Sequence, residues 1–192
     1  RDVTFRFQGA EEPVLSHISF TAKAGETTAI IGATGSGKST LIDLVSRFYD
    51  IESGQILLDG VDIKNLSQAE LRRRIGLVPQ KAVLFTGTIA ENIRYGKEDA
   101  TDEEVRHAAA VAQAGVNLSG GQKQRLAIAR ALVRKPEVYI FDDSFSALDF
   151  KTDAKLRAAL KGETGDSVML VVAQRVSSIM HAEQILVLAD GE

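Results

Sequence analysis

Apolar and polar positions alternate from Val3 to Phe7 and again through Leu15, Ile18 and Phe20, which predicts strands. An apolar run, Thr27 to Ile31, leads into a glycine-rich turn, Gly32 to Gly37. Lys38 to Phe48 then carries Leu41, Leu44, Val45 and Phe48 at helical spacing. Ile56–Leu58 and Ile75–Val78 read as short strands around a helix opened by Ser67-Gln68-Ala69-Glu70, which has capping-box spacing. Thr101-Asp102-Glu103-Glu104 repeats that signal at the head of an alanine-rich helix running to about Ala114. A second turn, Ser119-Gly120-Gly121-Gln122, precedes a helix through Val133, whose end Pro136 sets. Val138–Phe141 and Val168–Val172 are continuous apolar strands of the kind buried on both faces; Lys151–Lys161 reads as helix and Ile185–Leu188 as a last strand. Buried strands alternating with helices predict an α/β fold with a mostly parallel sheet.

At 192 residues and 44% hydrophobic content the chain can bury one substantial core. Net charge is −3, from 23 basic and 26 acidic residues, and neither sign forms a long block, so a nucleic-acid partner is not expected; Leu71-Arg72-Arg73-Arg74 reads as a solvated helix face. The absence of cysteine excludes disulfides and thiolate metal sites. His17, His107 and His181 lie too far apart in sequence for a ligand spacing and read as surface or packing residues. No run reaches the roughly eighteen apolar residues of a membrane span, and no leader opens the sequence, so this stretch is expected to be soluble. It begins within a strand pattern and stops at Ala189-Asp190-Gly191-Glu192, the start of another hairpin, and so reads as a piece of a longer chain.

The chemistry starts at Gly32-Ala33-Thr34-Gly35-Ser36-Gly37-Lys38-Ser39, which fits G-x-x-x-x-G-K-[ST] between a strand and a helix. Glycines turn successive N–H groups toward one point, the helix start adds partial positive charge, and Lys38 supplies a full charge for the outer phosphates. Ser39 offers a hydroxyl to Mg²⁺, and Thr40 continues the cradle. The buried strand Val138-Tyr139-Ile140-Phe141 ends in Asp142-Asp143; a carboxylate there suits Mg²⁺, as in other phosphate-loop proteins, although many strands end in Asp merely as a turn residue.

Asn117-Leu118-Ser119-Gly120-Gly121-Gln122-Lys123-Gln124-Arg125 resembles the LSGGQ signature of ATP-binding cassette (ABC) proteins, and the likeness extends over nearly the whole chain. The resemblance implies a phosphate-loop NTPase core with an N-terminal antiparallel β region, and a helical subdomain over about 81–135 that carries the signature. It implies ATP and Mg²⁺ as cofactors. It also implies that Ser119, Gly120, Gly121 and Gln122 act in trans on the nucleotide of a second subunit. Gln80 matches the glutamine loop that contacts Mg²⁺ and a transmembrane domain; Ser146, Ala147, Leu148 and Asp149 match the dimer-interface loop. Phe7 lies where the family stacks an aromatic ring on adenine, with core burial as the alternative. Leu84 to Ile93 resembles exporters of the multidrug and lipid type, which places the domain at the cytoplasmic face of a membrane. A soluble cassette ATPase of DNA repair or translation is the competing reading. That segment argues against it, as does the absence of a coiled-coil insertion.

Three departures from the family matter. The glutamate expected after Asp142 is Asp143, which draws the carboxylate back by one carbon–carbon bond, about 1.5 Å. The histidine expected to contact the γ-phosphate is Gln174, which donates hydrogen bonds but does not become cationic. Both weaken chemistry rather than binding, the pattern of the degenerate-site subunit in a heterodimeric exporter, with a different chain as partner. Finally, the alanine-rich helix runs almost directly into the signature, so a stretch that the family carries is expected to be missing between Ala114 and Gly115.

Overall fold

Alternate residues of the Val138–Asp142 strand face opposite ways, and both sets are apolar, so the strand is stable only between two layers. A computed structural model, which describes residues 1–113, 121–146, 150–176 and 179–192, shows those layers. The elements are β1 (Val3–Phe5), β2 (Leu15–Ile18), β3 (Thr27–Gly32), α1 (Lys38–Val45), β4 (Leu57–Leu58), β5 (Val61–Asp62), α2 (Gln68–Arg74), β6 (Ile75–Val78), α3 (Ile89–Arg94), α4 (Asp102–Gln113), α5 (Gln122–Arg134), β7 (Val138–Asp142), α6 (Phe150–Glu163), β8 (Val168–Val172) and β9 (Gln184–Leu188). Among the described residues five strands form one sheet in the order β6-β7-β8-β3-β9, with every neighbouring pair parallel. Two small antiparallel pairs, β1-β2 and β4-β5, lie outside it.

Val138 and Ile140 bury against Leu41, Ile42 and Leu44 of α1, Leu71 of α2, and Val3, Phe5 and Leu15 of the antiparallel pair. Tyr139 and Phe141 face the other layer, which holds Ile93 of α3, Val105 and Ala108 of α4, Ile128 and Leu132 of α5, and Leu156 and Leu160 of α6. Each of the larger of these side chains, Val, Leu, Ile or Phe, stabilises the fold by roughly 1.5–3 kcal/mol relative to exposure. This α/β sandwich is the expected fold class.

Helix starts follow local chemistry. Ser67 accepts from Glu70 N at the head of α2, and Thr101 accepts from Glu104 N at the head of α4. Helix α3 was not foreseen; Thr88 and Glu91 form a reciprocal capping box at its start, a signal present in the sequence. Arg74 departs from a purely solvated face: it bonds Glu137 at 2.5 Å and Asp59 at 2.5 Å, tying α2 to the start of β7 and to the β4–β5 turn. His17 pairs with Asp2 and His107 with Glu163, both at 2.8 Å, as surface contacts. The expected missing stretch between Ala114 and Gly115 lies outside the described residues. Among the described residues no helix is long and apolar enough to cross a membrane.

Candidate functional site

The carboxyl ends of β3, β6, β7 and β8 point the same way, and the residues that follow them build the site. After β3 the chain enters the phosphate loop. Gly37, with φ 98°, sits at the N-cap of α1 without a side-chain cap bond, so the first N–H groups of the helix are not claimed by a capping side chain. A β-carbon on Gly32 would collide with Leu188 O and Ser36 Oγ, so the loop requires glycine at its entry. Lys38 is buried, and its ammonium donates to Gly32 O at 2.8 Å, to Ala33 O at 2.6 Å and more weakly to Ser36 Oγ at 3.4 Å. Ser39 is exposed, Thr40 half-buried, and Thr34 and Gly35 lie open at the tip, where Gly35 also has a positive φ of 84°.

Beside the loop, Asp142 lies within electrostatic reach of Asp43, Asp143 and Lys38. Burial pushes the Asp142 carboxyl above its usual range, Asp43 and Asp143 push it further, and Lys38 pulls it back. Asp43, itself raised by burial, was not anticipated; it lies four residues after Ser39 on the same face of α1, a spacing that could have flagged it. Asp43 and Asp142 are half-buried and Asp143 buried; among the described residues no group of three acidic or histidine side chains could hold a metal by itself, so a divalent cation here would draw ligands from phosphate and a hydroxyl as well as from a carboxylate. When bound, such a cation would neutralise phosphate charge, and Ser39 and Asp142 are the residues that would hold it.

Asp143 follows β7 in a left-handed turn, φ 47°, with its N–H donating to Val172 O at 3.0 Å. It is 8% exposed. Its Oδ2 accepts from Gln80 Nε2 at 3.1 Å and from Gln174 Nε2 at 3.0 Å. Gln80, Asp143 and Gln174, separate expectations in the sequence, thus form one cluster across the ends of β6, β7 and β8. Pro79 O accepts from Gln124 Nε2 at 3.0 Å, which links the Gln80 segment to α5. Ser146 Oγ donates to Asp143 O at 2.9 Å.

Phe7 is 39% exposed, packed edge-on against Phe5 at 4.9 Å and Tyr49 at 5.4 Å between ring centroids, while Phe5 is the buried ring. Core burial is therefore not what Phe7 does. Tyr49, unremarked in the sequence, is the second ring packed against it. Gly121 stands at the N-cap of α5 without a side-chain cap bond and Gln122 opens the helix. Ser119, Gly120, Ala147, Leu148 and Asp149 lie outside the described residues.

The parallel sheet, phosphate loop and acid-ended β7 define a phosphate-loop nucleotide-binding domain. Comparison with known proteins makes this more specific. The family described as ABC transporter matches residues 15–146. An uncharacterized ABC transporter ATP-binding protein of Mycobacterium tuberculosis is 49% identical over 98% of this chain and 36% of its own length. A β-(1→2)-glucan export ATP-binding/permease protein of Rhodopseudomonas palustris is 46% identical over 100% of the chain and 34% of its own. In three dimensions the chain matches a bacterial Atm1-family ABC exporter solved with ATP bound, with a TM-score of 0.91 and 38% identity, over 99% of this chain and 36% of that one. The chain thus spans about a third of the length of these relatives. It belongs to the ABC transporter family, as an ATP-binding ATPase domain.

Proposed function

We propose that this chain is the nucleotide-binding domain of an exporter subunit, working at the cytoplasmic face of a membrane, and that its own site holds Mg²⁺ and ATP but hydrolyses weakly. One contrast carries the reading: the phosphate cradle is complete, whereas the two side chains that would drive chemistry are Asp143 and Gln174. Lys38, Ser39 and the N–H groups of the 32–40 loop bind phosphate, Ser39 and Asp142 hold Mg²⁺ with Gln80, and Phe7 stacks on adenine. A base for the attacking water must lie within roughly 2.6–3.2 Å of the proton it takes, or act through one water. Asp143 is short for that task, and Oδ2 is already shared by two amides.

A second subunit, of different sequence, supplies its signature to this site, while Ser119 to Gln122 of this chain complete the partner's site and residues 146–149 cross the interface. An exposed apolar patch on the 81–135 segment supports a membrane-domain partner. Ile89 is 64% and Tyr95 65% exposed, and Phe85 is stacked at 4.0 Å on Tyr95 with the Arg130 guanidinium 4.8 Å from its ring centre. Alignment with the mycobacterial relative runs over 208 positions against 192 residues in this chain, so at least 16 positions of the relative face no residue here. We place that stretch between Ala114 and Gly115. The cargo is read by the membrane domains.

ATP hydrolysis by the full-length protein, reconstituted alone and then with its partner, tests this, with nucleotide binding measured in parallel. Binding without turnover alone, and turnover in the pair, is expected. Brisk hydrolysis alone would show that Asp143 suffices and that identical subunits form the working pair.

A further inference from the structure

Val3, Phe5 and Phe7 stand at alternate positions, and the first two are buried, whereas Phe7 emerges two residues past the end of β1. An exposed ring that receives a flat ligand loses side-chain freedom on binding, unless its pose is fixed beforehand. Among the described residues two aromatic rings pack on Phe7. Phe5 meets it at an interplanar angle of 82° and Tyr49 at 90°, and Phe5 and Tyr49 also touch each other, with ring centroids 5.7 Å apart. Phe5 belongs to the core, but Tyr49 is an exposed side chain on a separate segment.

That segment is the exit of α1. The helix is eight residues and so about 12 Å long; it starts at the phosphate loop. Just past it Arg47, with a left-handed φ of 53°, turns the chain. The Arg47 guanidinium donates to Ile63 O at 3.1 Å, to Leu66 O at 2.8 Å and to Asp50 Oδ1 at 3.1 Å, which pins the turn. Beyond Tyr49 the chain bonds to β1 itself, Glu52 N to Thr4 O at 3.0 Å and Thr4 N to Ser53 O at 3.2 Å. Tyr49 is therefore held between two fixed points. Through α1 it is joined to the loop that cradles phosphate.

We propose that Tyr49 is a positioning residue for the nucleobase: it holds the Phe7 ring ready for stacking and ties that platform to α1, so that base and phosphates are gripped by one rigid unit. Tyr49 acts through Phe7 and does not touch the base. Because every base has a π-face, its contribution is the same for adenine and guanine. This rests on the reading of Phe7 as the adenine-stacking ring, and the test separates the two.

The test measures equilibrium binding of ATP, GTP and inorganic tripolyphosphate to the full-length protein, in EDTA so that none is hydrolysed. Phe7→Ala is expected to weaken ATP by roughly ten- to a hundredfold, the scale of losing a base–aromatic stack, with tripolyphosphate unchanged. ATP affinity unaffected by Phe7→Ala would bring down the adenine-stacking reading itself. Tyr49→Leu, which keeps apolar bulk but removes the ring, is expected to weaken ATP and GTP alike by roughly two- to tenfold, the scale of one edge-on aromatic pair, again with tripolyphosphate unchanged. Tyr49→Phe should bind as the parent does. Added to Phe7→Ala, Tyr49→Leu should have no further effect, since the ring it holds is gone. With the Phe7 effect in place, parental ATP affinity in Tyr49→Leu, or a loss shared by tripolyphosphate, would overturn the positioning role. A loss that differs between ATP and GTP, a Tyr49→Phe protein as weak as Tyr49→Leu, or penalties that add in the double variant would overturn it too, by putting Tyr49 on the base.

Discussion

The loop after β3 and the strand ends of β6–β8 lie at the same edge of the sheet but are built from different materials. The loop is mostly backbone: glycine conformations, helix N–H groups and one lysine parked on two carbonyls. The strand ends are side chains, Gln80, Asp142, Asp143 and Gln174, brought together from distant segments. A backbone cradle is insensitive to most substitutions as long as the glycines and lysine remain, whereas a side-chain site changes with a single methylene. On the reading proposed above, that difference lets one chain keep binding while its chemistry weakens.

The largest expected effect repairs the weaker half. Asp143→Glu combined with Gln174→His should raise ATP turnover by the partner-assembled site on the order of 10²–10⁴, the usual contribution of a placed general base, as read by phosphate release at this chain's site with the partner's own site disabled. Next, Lys38→Ala removes a charged donor from the stronger half and should weaken ATP binding by on the order of a hundredfold, measured by equilibrium binding. Asp142→Asn sharpens the comparison from the side of stability. It removes a buried carboxylate whose ionised form is disfavoured, so the ligand-free protein should melt about 1–3 °C higher while Mg²⁺-dependent ATP binding falls.

The smallest effect lies outside the site. Lys97 and the Thr101 N–H hold the half-buried Glu104 carboxylate down to about 2. A depressed folded value stabilises above the ordinary glutamate value of about 4.3 and is lost as pH falls from there toward 2. Amide exchange in the first turn of α4 should therefore speed up across that window, and Glu104→Gln should abolish the pH dependence.

Much of the backbone-built half was legible in the sequence because sterics leave few options. Glycine is demanded at 32 by the approach of Leu188 O and Ser36 Oγ, and at 37 by a φ of 98°. Strands β7 and β8 announced themselves by apolar runs that fit only between two layers. The side-chain cluster was not legible as a cluster. Gln80 and Asp143 are 63 residues apart, Asp143 and Gln174 31 apart, and only the order β6-β7-β8 makes them neighbours. Helix α3 was hidden because it is six residues long and begins with an exposed isoleucine, leaving the Thr88–Glu91 box as its one signal. β4 falls within Ile56–Leu58, a stretch the sequence marks as strand, whereas β5, two residues long, carries too little pattern for any period to register.

The most direct test of the proposed site, one that binds well but hydrolyses weakly, is the nucleotide found on it. Assembled transporter would be photolabelled in Mg²⁺ with an ATP analogue radioactive at either the α- or the γ-phosphate, and the label on this chain counted. Near-equal α and γ label is expected, because ATP stays intact where Asp143 and Gln174 face it. Retention of α label with loss of γ label would mean that this chain's site hydrolyses its ATP, contradicting the separation of binding from chemistry.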